Sequence, residues 1–429
     1  MRISCVGGGP AGLYFAVLAK LADPAHEVTV LERNPAGVTY GWGVVFWDDL
    51  LDDLFRYDPV SARRISDAAC RWDEYEVRAS GKAVTHLAGY GFSLGRRNLL
   101  DILARRATEL GVEVHYRDEW TDLSGYPDAD LVVACDGARS RIREQHAEHF
   151  GAEVEVGRNK YIWLGTPHVF KTFTFGFEKV RAGWIWFHAY PFAADASTFI
   201  VECAPETWAA LELDRLDAQQ GCARLQEIFA AHLGGQPLID HRAEVGGTGW
   251  LNFRRITNQR WDHGNLVLMG DAAHTTHFAI GSGTKLAMQD AMALADVLSG
   301  DDDLAVALER YEHRRKTALA PLQRAAKASS EWFERLPEYV DQPSTQFSYA
   351  LSNRRGEYPL WRYLLHVGTQ NTAPRTLLRW ALSARRWSRT RRRLARTRQW
   401  PAASEAPRPV GSLHRPRVTS RTAKGLTDG

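Results

Sequence analysis

The stretch Arg2-Ile3-Ser4-Cys5-Val6-Gly7-Gly8-Gly9-Pro10-Ala11-Gly12 decides the fold of this chain. It is a short apolar strand followed by a turn in which Gly7, Gly9 and Gly12 keep the GxGxxG spacing, and an apolar helix comes next. In such a turn one glycine permits the tight bend, one lets the backbone approach a pyrophosphate, and one lets the helix pack close to the strand. The N–H groups at the helix start favour phosphate charge. The stretch therefore predicts a dinucleotide-binding turn.

A second strand, 27–31, follows the helix and leads into Glu32 and Arg33. A carboxylate about 20 residues beyond the last glycine of such a turn can accept hydrogen bonds from ribose hydroxyls. The order of strand, turn, helix, strand and acidic residue is far more specific than the glycines alone. We expect the following residues to contact the dinucleotide: Gly7, Gly9, Pro10, Ala11, Gly12, Glu32 and Arg33.

The bulk composition is that of a globular protein. The chain has 429 residues, of which 45% are hydrophobic and 24% charged. No apolar run approaches the ~20 residues needed to span a bilayer, and no charged-then-apolar leader precedes the first strand, so we expect a cytoplasmic protein with no membrane partner. The five cysteines form no CxxC pair, which predicts reduced thiols and no metal site.

Charge is divided unevenly along the chain. The net charge is +3, yet fourteen Arg and one Lys against two acidic residues give +13 from Arg375 onward and leave −10 before it. Such an arginine-rich end can grip nucleic acid, draw an anionic substrate towards an acidic body, or form a helix laid on that body. Trp380, Trp387 and Leu394 recur every seven residues, which favours the helix over a nucleic-acid partner.

Two more apolar strands end in a glycine and an aspartate. Leu131 to Cys135 is followed by Asp136-Gly137, and Asn265 to Met269 is followed by Gly270-Asp271. Open α/β sheets bind ligands at the carboxyl ends of their strands, where both pairs stand. Gly281-Ser282-Gly283-Thr284 then opens a helix over 285–298, and its backbone N–H groups suit a polarised carbonyl or an anionic ring.

Trp42 and Arg96 are two further candidates for contact with a bound ligand. Trp42 lies between Gly41 and Gly43, which indicates either backbone close to a planar ligand or an ordinary loop. Arg96 stands at the head of a predicted helix, 98–110, where it is either a solvated charge or a phosphate contact.

Between the Asp136-Gly137 and Gly270-Asp271 motifs the amino-acid composition changes. Four runs rich in Trp, Phe, Tyr and Thr are joined by short turns, and they predict an antiparallel meander that forms one wall of a substrate pocket: Lys160–Thr166, Thr172–Glu178, Gly183–Pro191 and Ser197–Cys203.

The three glycine-containing motifs that follow apolar strands, taken in this order, resemble those of the single-component FAD-dependent aromatic hydroxylases. Gly7–Gly12 with Glu32 is similar to their ADP-binding motif, and Asp136-Gly137 and Gly270-Asp271 resemble their two later motifs. The resemblance covers about residues 1 to 355. Gly41–Phe46, Asn159–Thr166 and His274–Lys285 resemble the subgroup with salicylyl-CoA and anthraniloyl-CoA hydroxylases and violacein-type tryptophan hydroxylases.

The resemblance implies an α/β (α+β) fold with a Rossmann-like FAD-binding domain, an inserted antiparallel β-sheet substrate domain and C-terminal helices. We expect the FAD domain to comprise 1–75, 93–155 and 255–335, the substrate domain 76–92 and 156–254, the helical region 336–398, and a disordered tail 399–429. The chain also departs from the wider family, because Phe278 replaces the usual proline after the Gly-Asp motif.

The implied activity is hydroxylation of an aromatic substrate, such as an aryl-CoA thioester, with FAD, O₂ and NAD(P)H as a transient reductant, through a flavin C4a-hydroperoxide. No second GxGxxG is present for the nicotinamide, which matches the family. Arg96 would contact phosphate, Asp136 and Asp271 the ribityl–pyrophosphate region, and Trp42 and Gly43 the isoalloxazine. The backbone of Gly281, Ser282, Gly283 and Thr284 would contact the flavin pyrimidine edge, and Gly270 of the Gly-Asp motif is also expected to bind the cofactor. A monomer or a homodimer is expected.

Three residues are candidates for activating the substrate: His188, His277 and Tyr190. A neutral histidine near its usual pKa can polarise a ring hydroxyl or amine, and a tyrosine can donate a hydrogen bond. A histidine facing solvent from the sheet is the alternative for His188.

Other functions remain open on the same scaffold. One is a hydroxylase or oxidative cyclase of a free indole or tryptophan-type compound, and another is a flavin halogenase, although Trp184-Ile185-Trp186 lacks the Ile-Pro that follows in halogenases. A non-catalytic FAD- or nucleic-acid-binding protein is the alternative from a different class.

Overall fold

The fold was analysed in a computed structural model that describes residues 1–39, 41–120, 128–240, 249–300, 303–356 and 359–398. The strands are β1 Arg2–Val6, β2 Glu27–Glu32, β3 Gly43–Phe46, β4 Cys70–Ala79, β5 Thr85–Gly95, β6 Glu113–Tyr116, β7 Leu131–Ala134, β8 Ala152–Thr166, β9 Phe173–Val180, β10 Gly183–Ala193, β11 Ala196–Cys203, β12 Leu251–Asn258, β13 Asp262–His263 and β14 Leu266–Leu268.

The helices occupy both ends of the chain and the segment after the aromatic strands. They are α1 Pro10–Ala22, α2 Asp48–Tyr57, α3 Pro59–Ala68, α4 Arg96–Glu109, α5 Arg141–Gln145, α6 Ala147–Phe150, α7 Pro205–Ala210, α8 Ala218–Ile228, α9 Ala230–Leu233, α10 Gly283–Leu298, α11 Leu304–Glu334, α12 Pro337–Val340, α13 Ser344–Asn353, α14 Leu360–Gly368 and α15 Thr372–Arg398. Short 3₁₀ turns cover Gly270–Ala272 and Phe278–Ile280.

The first sheet has the order β13-β14-β7-β1-β2-β6, and its strands are parallel except for the β13–β14 pair. Strands buried on both faces of a parallel sheet are apolar throughout, which explains Leu131–Ala134 and Leu266–Leu268. Val6 pairs with both Leu31 and Ala134, so the loops after these strands begin at one edge of the sheet. The three glycine-bearing turns therefore meet there, as the fold class predicts.

The second sheet has the order β12-β8-β11-β10-β9-β4-β5-β3. The predicted meander is wrong in one respect, because β8 pairs with β11 and not with β9. The six residues between β8 and β9 span up to ~20 Å when extended, enough to cross the ~14 Å of three strand spacings. A short connection is therefore compatible with either arrangement, and the sequence pattern does not distinguish them.

The side chains of β10 point alternately to the two faces of the sheet, and this alternation determines which face the candidate residues His188 and Tyr190 occupy. Ile185, Phe187 and Ala189 face a core completed by Phe229 and Leu233 of the α8–α9 region. The intervening residues of the strand belong to a second core, which α11 to α13 complete on the opposite face of the sheet: Trp184, Trp186 and Tyr190. His188 lies in the same alternation, so it points towards those C-terminal helices.

Two stretches of uniform sequence pattern are each divided into separate elements. The alternating stretch 75–86 is not one strand, since β4 ends at Ala79 and β5 begins at Thr85. The apolar and polar residues of 205–233 are divided among α7, α8 and α9. Glycines and turn residues interrupt both stretches.

Within the described residues the five cysteines form no disulfide, no helix is long and apolar enough to cross a membrane, and no group of three or more His, Cys, Asp or Glu side chains could hold a metal ion. The division into domains stays a prediction, and the expected tail 399–429 lies outside the described residues.

Candidate active site

Two glycines of the opening turn are required by packing. Gly7 has φ +117°, and a methyl group there would overlap the carbonyl of Cys135 at the end of the neighbouring strand. A methyl on Gly12 would overlap the Gly7 carbonyl and come 2.6 Å from the Cys135 Sγ atom. These two glycines let β1, α1 and the loop after β7 pack closely, and the structure is specific for glycine at both positions.

The third glycine faces open space instead. A methyl group placed on Gly9 would have none of the described atoms within 4 Å. Gly9 caps α1 without a side-chain hydrogen bond, and Pro10 is the first residue of the helix. The next N–H groups, of Ala11 and Gly12, have no partner within the helix, as in any first turn. An open helix start of this kind is suited to phosphate oxygens.

Glu32 is held rigidly beside this helix start. Its Oε2 accepts a hydrogen bond from Gly8 N at 2.8 Å, and its Oε1 accepts from Asn34 N at 2.8 Å and Asn34 Nδ2 at 2.6 Å. With Gly9, Glu32 lines a cleft of about 560 Å³ of empty volume, bounded on the other side by Arg96. Arg33 lies outside the lining of this cleft, 4.0 Å from Glu119.

Arg96 connects the cleft to the Gly-Asp turn. Its Nε donates to Thr39 Oγ1 at 3.0 Å, and its backbone N–H donates to Trp42 O at 2.7 Å. Burial lowers the pKa of Arg96, while Asp271 and Glu32 counteract this electrostatically. Desolvation raises the pKa of Asp271 despite Arg96. Carboxylates therefore flank one guanidinium.

A buried ionic cluster around Asp290 supports the turn that bears Asp271. Asp290 accepts hydrogen bonds from Gly270 N at 3.1 Å, His274 Nε2 at 2.8 Å and Arg315 Nε at 2.6 Å. Burial opposes ionisation of Asp290, but His274 and Arg315 outweigh it and lower its pKa. Sequence reasoning missed Asp290 and Arg315, because nothing in the local pattern of α10 or α11 marks them.

Asp136 and its neighbours join the two later motifs. Asp136 Oδ2 accepts from Arg141 N at 2.9 Å, and desolvation raises the pKa of Asp136. Arg143, fully buried, donates to Ala138 O at 2.9 Å and to Ala272 O at 3.1 Å. The Arg143 guanidinium thus hydrogen-bonds to both the Asp-Gly turn and the Gly-Asp turn, and it holds the two turns next to each other.

A second open helix start lies at α10. Gly281 has φ +66°, and a methyl there would come 2.6 Å from Val45 Cγ2 and 3.0 Å from Trp47. Ser282 caps α10 with no side-chain hydrogen bond to the helix, and its Oγ donates to Ile280 O. A methyl group on Gly283 would have no described atom within 4 Å. Like Gly9, Gly283 exposes backbone at the start of a helix, here with Thr284 as the next residue.

Gly43 is held by the second sheet on both of its polar atoms. Its N–H donates to Thr198 Oγ1 at 2.9 Å, and its carbonyl accepts from the Tyr190 hydroxyl at 2.8 Å. The single proton of Tyr190 is thereby engaged by backbone, and burial raises its pKa. The Trp42 ring packs on Gly165, where a methyl group would overlap it.

The structure brings the two candidate histidines together in a buried aromatic cluster. His188 is 2% exposed, with ring centroids 4.8 Å from Phe175, 5.2 Å from Phe333 and 6.0 Å from Phe278. His277 is also buried, and its ring lies 4.3 Å from that of Phe278. His188 therefore does not face solvent.

Both histidines are neutral near pH 7. Burial, followed by Arg354 and His277, lowers the pKa of His188 well below its usual value. Burial and then Arg354 lower the pKa of His277 to about 3. The expected neutral form agrees with these shifts, whereas the expected pKa near the usual value does not. His277 Nδ1 accepts from Ala279 N at 3.3 Å, which leaves its proton on Nε2.

Two arginines missed by sequence reasoning support the loop between His277 and Gly281. Arg354 Nη2 and Arg355 Nη2 donate to Ala279 O at 3.0 and 3.1 Å. The Arg354 guanidinium also lies over the rings of Phe175 and Phe333, at 5.4 and 5.5 Å. These residues directly follow α13, more than seventy positions after the loop, so no local signal in the sequence connects them to it.

A groove of about 1090 Å³ of empty volume lies beside this cluster and is open to solvent. Trp47, which contacts Gly281, and Phe175, which contacts His188, line it together with Arg354. Leu382 and Arg389 of α15 line it as well. The lining of the groove therefore includes neighbours of the buried cluster and residues of the C-terminal helix.

Comparison with known proteins identifies the family. The model of the FAD binding domain family matches residues 84–326. The chain is 39% identical to salicyloyl-CoA 5-hydroxylase of a Streptomyces species, over 82% of this chain and 70% of that protein. It is 37% identical to 3-hydroxy-4-methyl-anthranilyl-[aryl-carrier protein] 5-monooxygenase of Streptosporangium sibiricum, over 86% of this chain and 98% of that protein.

A solved structure shares the fold. The tetrameric form of 2-methyl-3-hydroxypyridine-5-carboxylic acid oxygenase superposes with a TM-score of 0.65 at 19% identity, covering 82% of this chain and 95% of that one. At this identity the likeness concerns the arrangement of sheets and helices. With the family match and the two relatives, it confirms the expected fold class and cofactor. The chain belongs to the FAD-binding family of group A flavoprotein monooxygenases and is an FAD-dependent aromatic hydroxylase.

Proposed function

We propose that this enzyme hydroxylates an aromatic ring that is carried as a thioester, as in salicyloyl-CoA or anthraniloyl-CoA. The observation that carries the proposal is the groove whose lining extends from Phe175, a ring neighbour of His188, to α15. A free aromatic acid or indole has no extension to occupy such a groove, whereas the pantetheine arm of a thioester does. The names of the two relatives, one a CoA ester and one a carrier-protein ester, agree with this substrate class.

The described residues fit FAD as an extended dinucleotide. The open start of α1 at Gly9 suits the pyrophosphate, and Glu32 suits the adenosine ribose. Arg96 is close enough to Glu32 and Asp271 to interact with both, and at the open start of α10 Gly283 and Thr284 suit the flavin pyrimidine edge. Pro10, Ala11, Gly281 and Ser282 complete the two turns, and Gly7, Gly12, Gly270 and Asp136 shape them. When bound and reduced, FAD supplies the O₂ activation that places one oxygen atom on the ring.

The side chains of the pocket would bind and orient the ring. Phe175, Phe278 and Phe333 give apolar contact and keep water out. The Nε2 atom of His188 is buried and has no hydrogen-bond partner among the described residues. It can accept a hydrogen bond from a ring hydroxyl or amine, which raises the electron density of the ring, while His277 Nε2–H can donate.

Tyr190 has a positioning role in this proposal. Its hydroxyl already donates to Gly43 O, so it holds β3 against the sheet and fixes the segment that carries Trp42 and Trp47. Trp42 lies against Gly165 on the sheet side of that segment.

The test is NADH-coupled O₂ consumption with product analysis. Salicyloyl-CoA or anthraniloyl-CoA should stimulate NADH oxidation and yield hydroxylated thioester, and tryptophan, indole and free salicylate should not. Stimulation by tryptophan or indole together with inactive thioesters would overturn the proposal and favour the free-indole alternative.

Two variants examine the histidines in the same assay. His188→Ala and His277→Ala should keep NADH oxidation but lose product by about 10²-fold or more, with peroxide formed instead. His115→Ala, an exposed histidine of β6, is the matched control. Unchanged product yield in both pocket variants would remove these histidines from the mechanism.

A further inference from the structure

The C-terminal helices have a charge pattern that the hydroxylation reaction does not explain. Residues 359–398 contain eleven arginines and no aspartate, glutamate or lysine. Residues 1–358, which precede this segment, carry a net negative charge. A helix pair of one charge sign on a body of the opposite sign attracts a partner with an acidic surface.

The same helices expose large apolar side chains. On α14, Trp361 is 59% and Leu364 63% exposed, and on α15, Leu377 is 70% and Trp380 73% exposed. Isolated exposed apolar residues are ordinary, but these lie on two consecutive helices among arginines. Tryptophan and arginine are the residue types most enriched at the centres of protein interfaces.

The orientation of α15 relates this surface to the groove. Arg379 pairs with Glu74 at 3.5 Å, Arg389 pairs with Asp48 at 3.5 Å, and Leu382 lines the groove. At 100° per residue these three positions share one face of the helix, and Leu377 and Trp380 point the other way. One face of α15 therefore lines the groove, while the other presents apolar side chains outward.

We propose that the outer face of α14 and α15, including Trp361, Leu364, Leu377 and Trp380, docks an acidic carrier protein whose phosphopantetheine arm delivers the aromatic thioester into the groove. This inference rests on the proposed function and adds the form in which the substrate arrives. Charge complementarity holds the carrier protein, the apolar side chains give the contact its core, and the arm enters beside Arg389.

Other occupants fit this face less well. In a symmetric dimer with a second copy, the arginines of one α15 would face those of the other. Residues 399–429 have five basic and two acidic residues, so their net charge matches that of the helices and repels them. A free CoA thioester is small and polar, and it leaves the apolar side chains of α14 without a function.

The first experiment measures binding without turnover. Full-length enzyme is titrated with the phosphopantetheine form of a stand-alone acyl carrier protein and of an aryl carrier protein, neither loaded with an aromatic group. We expect at least one of them to bind, and Trp361→Ser with Trp380→Ser to weaken that binding by about tenfold or more. Arg362→Glu should weaken it too, and added salt should do the same.

Matched controls exclude general effects on the protein. Val156→Ser with Val306→Ser removes apolar side chains that are 64% and 46% exposed elsewhere on the surface. Arg215→Glu makes the same charge change as Arg362→Glu at a side chain that is 75% exposed. Both controls should bind the carrier protein as the wild type does. If the controls weaken binding as much as the α14–α15 variants, the proposed surface is wrong.

The second experiment compares the carriers of one aromatic group. The Trp361→Ser, Trp380→Ser double variant should lose about tenfold in kcat/KM for the carrier-protein thioester and keep the wild-type value for the pantetheine thioester. Wild-type enzyme that binds neither carrier protein would overturn the proposal, as would capture by anionic phosphatidylglycerol vesicles in its place. Binding of the unloaded carrier does not require hydroxylation, so failure of the proposed function is seen separately.

Discussion

The hydroxyl of Tyr190 lies 2.8 Å from the carbonyl oxygen of Gly43, and this hydrogen bond joins the central strand β10 to β3. Thr198 Oγ1 completes the attachment by accepting from Gly43 N at 2.9 Å. β3 sits at the edge of the second sheet and leads to Trp47, which contacts Gly281 at the start of α10. The pair therefore links the aromatic sheet to the segment proposed to hold the flavin.

Replacement of this tyrosine tests the link. Tyr190→Phe leaves a buried carbonyl without its donor, and we expect it to lower the free energy of unfolding by about 1–3 kcal/mol. Urea denaturation measures this change, and the yield of hydroxylated product per NADH should fall with it. Tyr57→Phe removes a hydrogen bond to Asp296 at the less buried α2 and should cost less. Equal losses in the two variants would contradict a special role for Tyr190.

Substitution of two glycines of the opening turn should have different effects, because we expect Gly7 to be needed for folding and Gly9 for FAD binding. Gly7 has positive φ and no room for a methyl group, so Gly7→Ala should yield little folded protein. Gly9→Ala meets open space, so it should keep the wild-type melting temperature as apoprotein. Its methyl group occupies the proposed phosphate position, and FAD affinity should fall by about tenfold, ~1.4 kcal/mol.

Flavin fluorescence titration measures that affinity, and Gly221→Ala is the matched control. Gly221 also meets open space, in α8 on the far side of the second sheet, and its replacement should leave FAD binding unchanged. Wild-type FAD affinity in Gly9→Ala would contradict the proposed position of the pyrophosphate.

The cluster under the Gly-Asp turn makes a prediction about both stability and cofactor binding. Asp290→Asn removes the charge that balances buried Arg315, and breaking a buried pair in this way costs about 3–5 kcal/mol. The variant also loosens Gly270 N, so FAD affinity should fall. Asp296→Asn, at a half-exposed pair with Arg314, is the control and should change stability by about 1 kcal/mol or less. Wild-type unfolding of Asp290→Asn would show that this cluster does not support the turn.

The buried histidines predict a pH dependence of stability. The pKa of His277 is about 3 in the folded chain and about 6.5 when unfolded. The unfolded state therefore binds the extra proton first, and the stabilising contribution is complete above about pH 6.5 and declines as the pH falls towards 3. Within that window each such group lowers the free energy of unfolding by at most about 1.4 kcal/mol per pH unit.

Urea denaturation at several pH values between 4 and 7 tests this, with His277→Asn as the variant. The variant should unfold with a shallower pH dependence than the wild type, and His115→Asn, an exposed residue, should follow the wild type. An unchanged slope in His277→Asn would contradict the burial of the neutral ring.

The opening motif and the strand ends could be predicted because their signals are local. Gly7, Gly9 and Gly12 act within one turn, and Asp136 and Asp271 directly follow the apolar strands that position them. Three ordered motifs also identified the family, and the relatives confirm it.

What escaped prediction depends on contacts between distant parts of the chain. Arg354 and Arg355 reach Ala279 from the end of α13, and Arg315 reaches Asp290 from α11, with no pattern that couples them. The place of β8 beside β11 depends on a connection whose length suits two arrangements. The depressed pKa of His188 comes from burial and a remote arginine, which a sequence does not display.

The central claim is that this enzyme inserts one atom of O₂ into an aromatic thioester. The most direct test incubates the holoenzyme with NADH, salicyloyl-CoA or anthraniloyl-CoA and ¹⁸O-labelled O₂, followed by mass spectrometry of the product. The account predicts a hydroxylated thioester with one labelled oxygen atom, and an unlabelled product when the label is in water. A product that takes its oxygen from water, or NADH oxidation that no thioester stimulates, would contradict it.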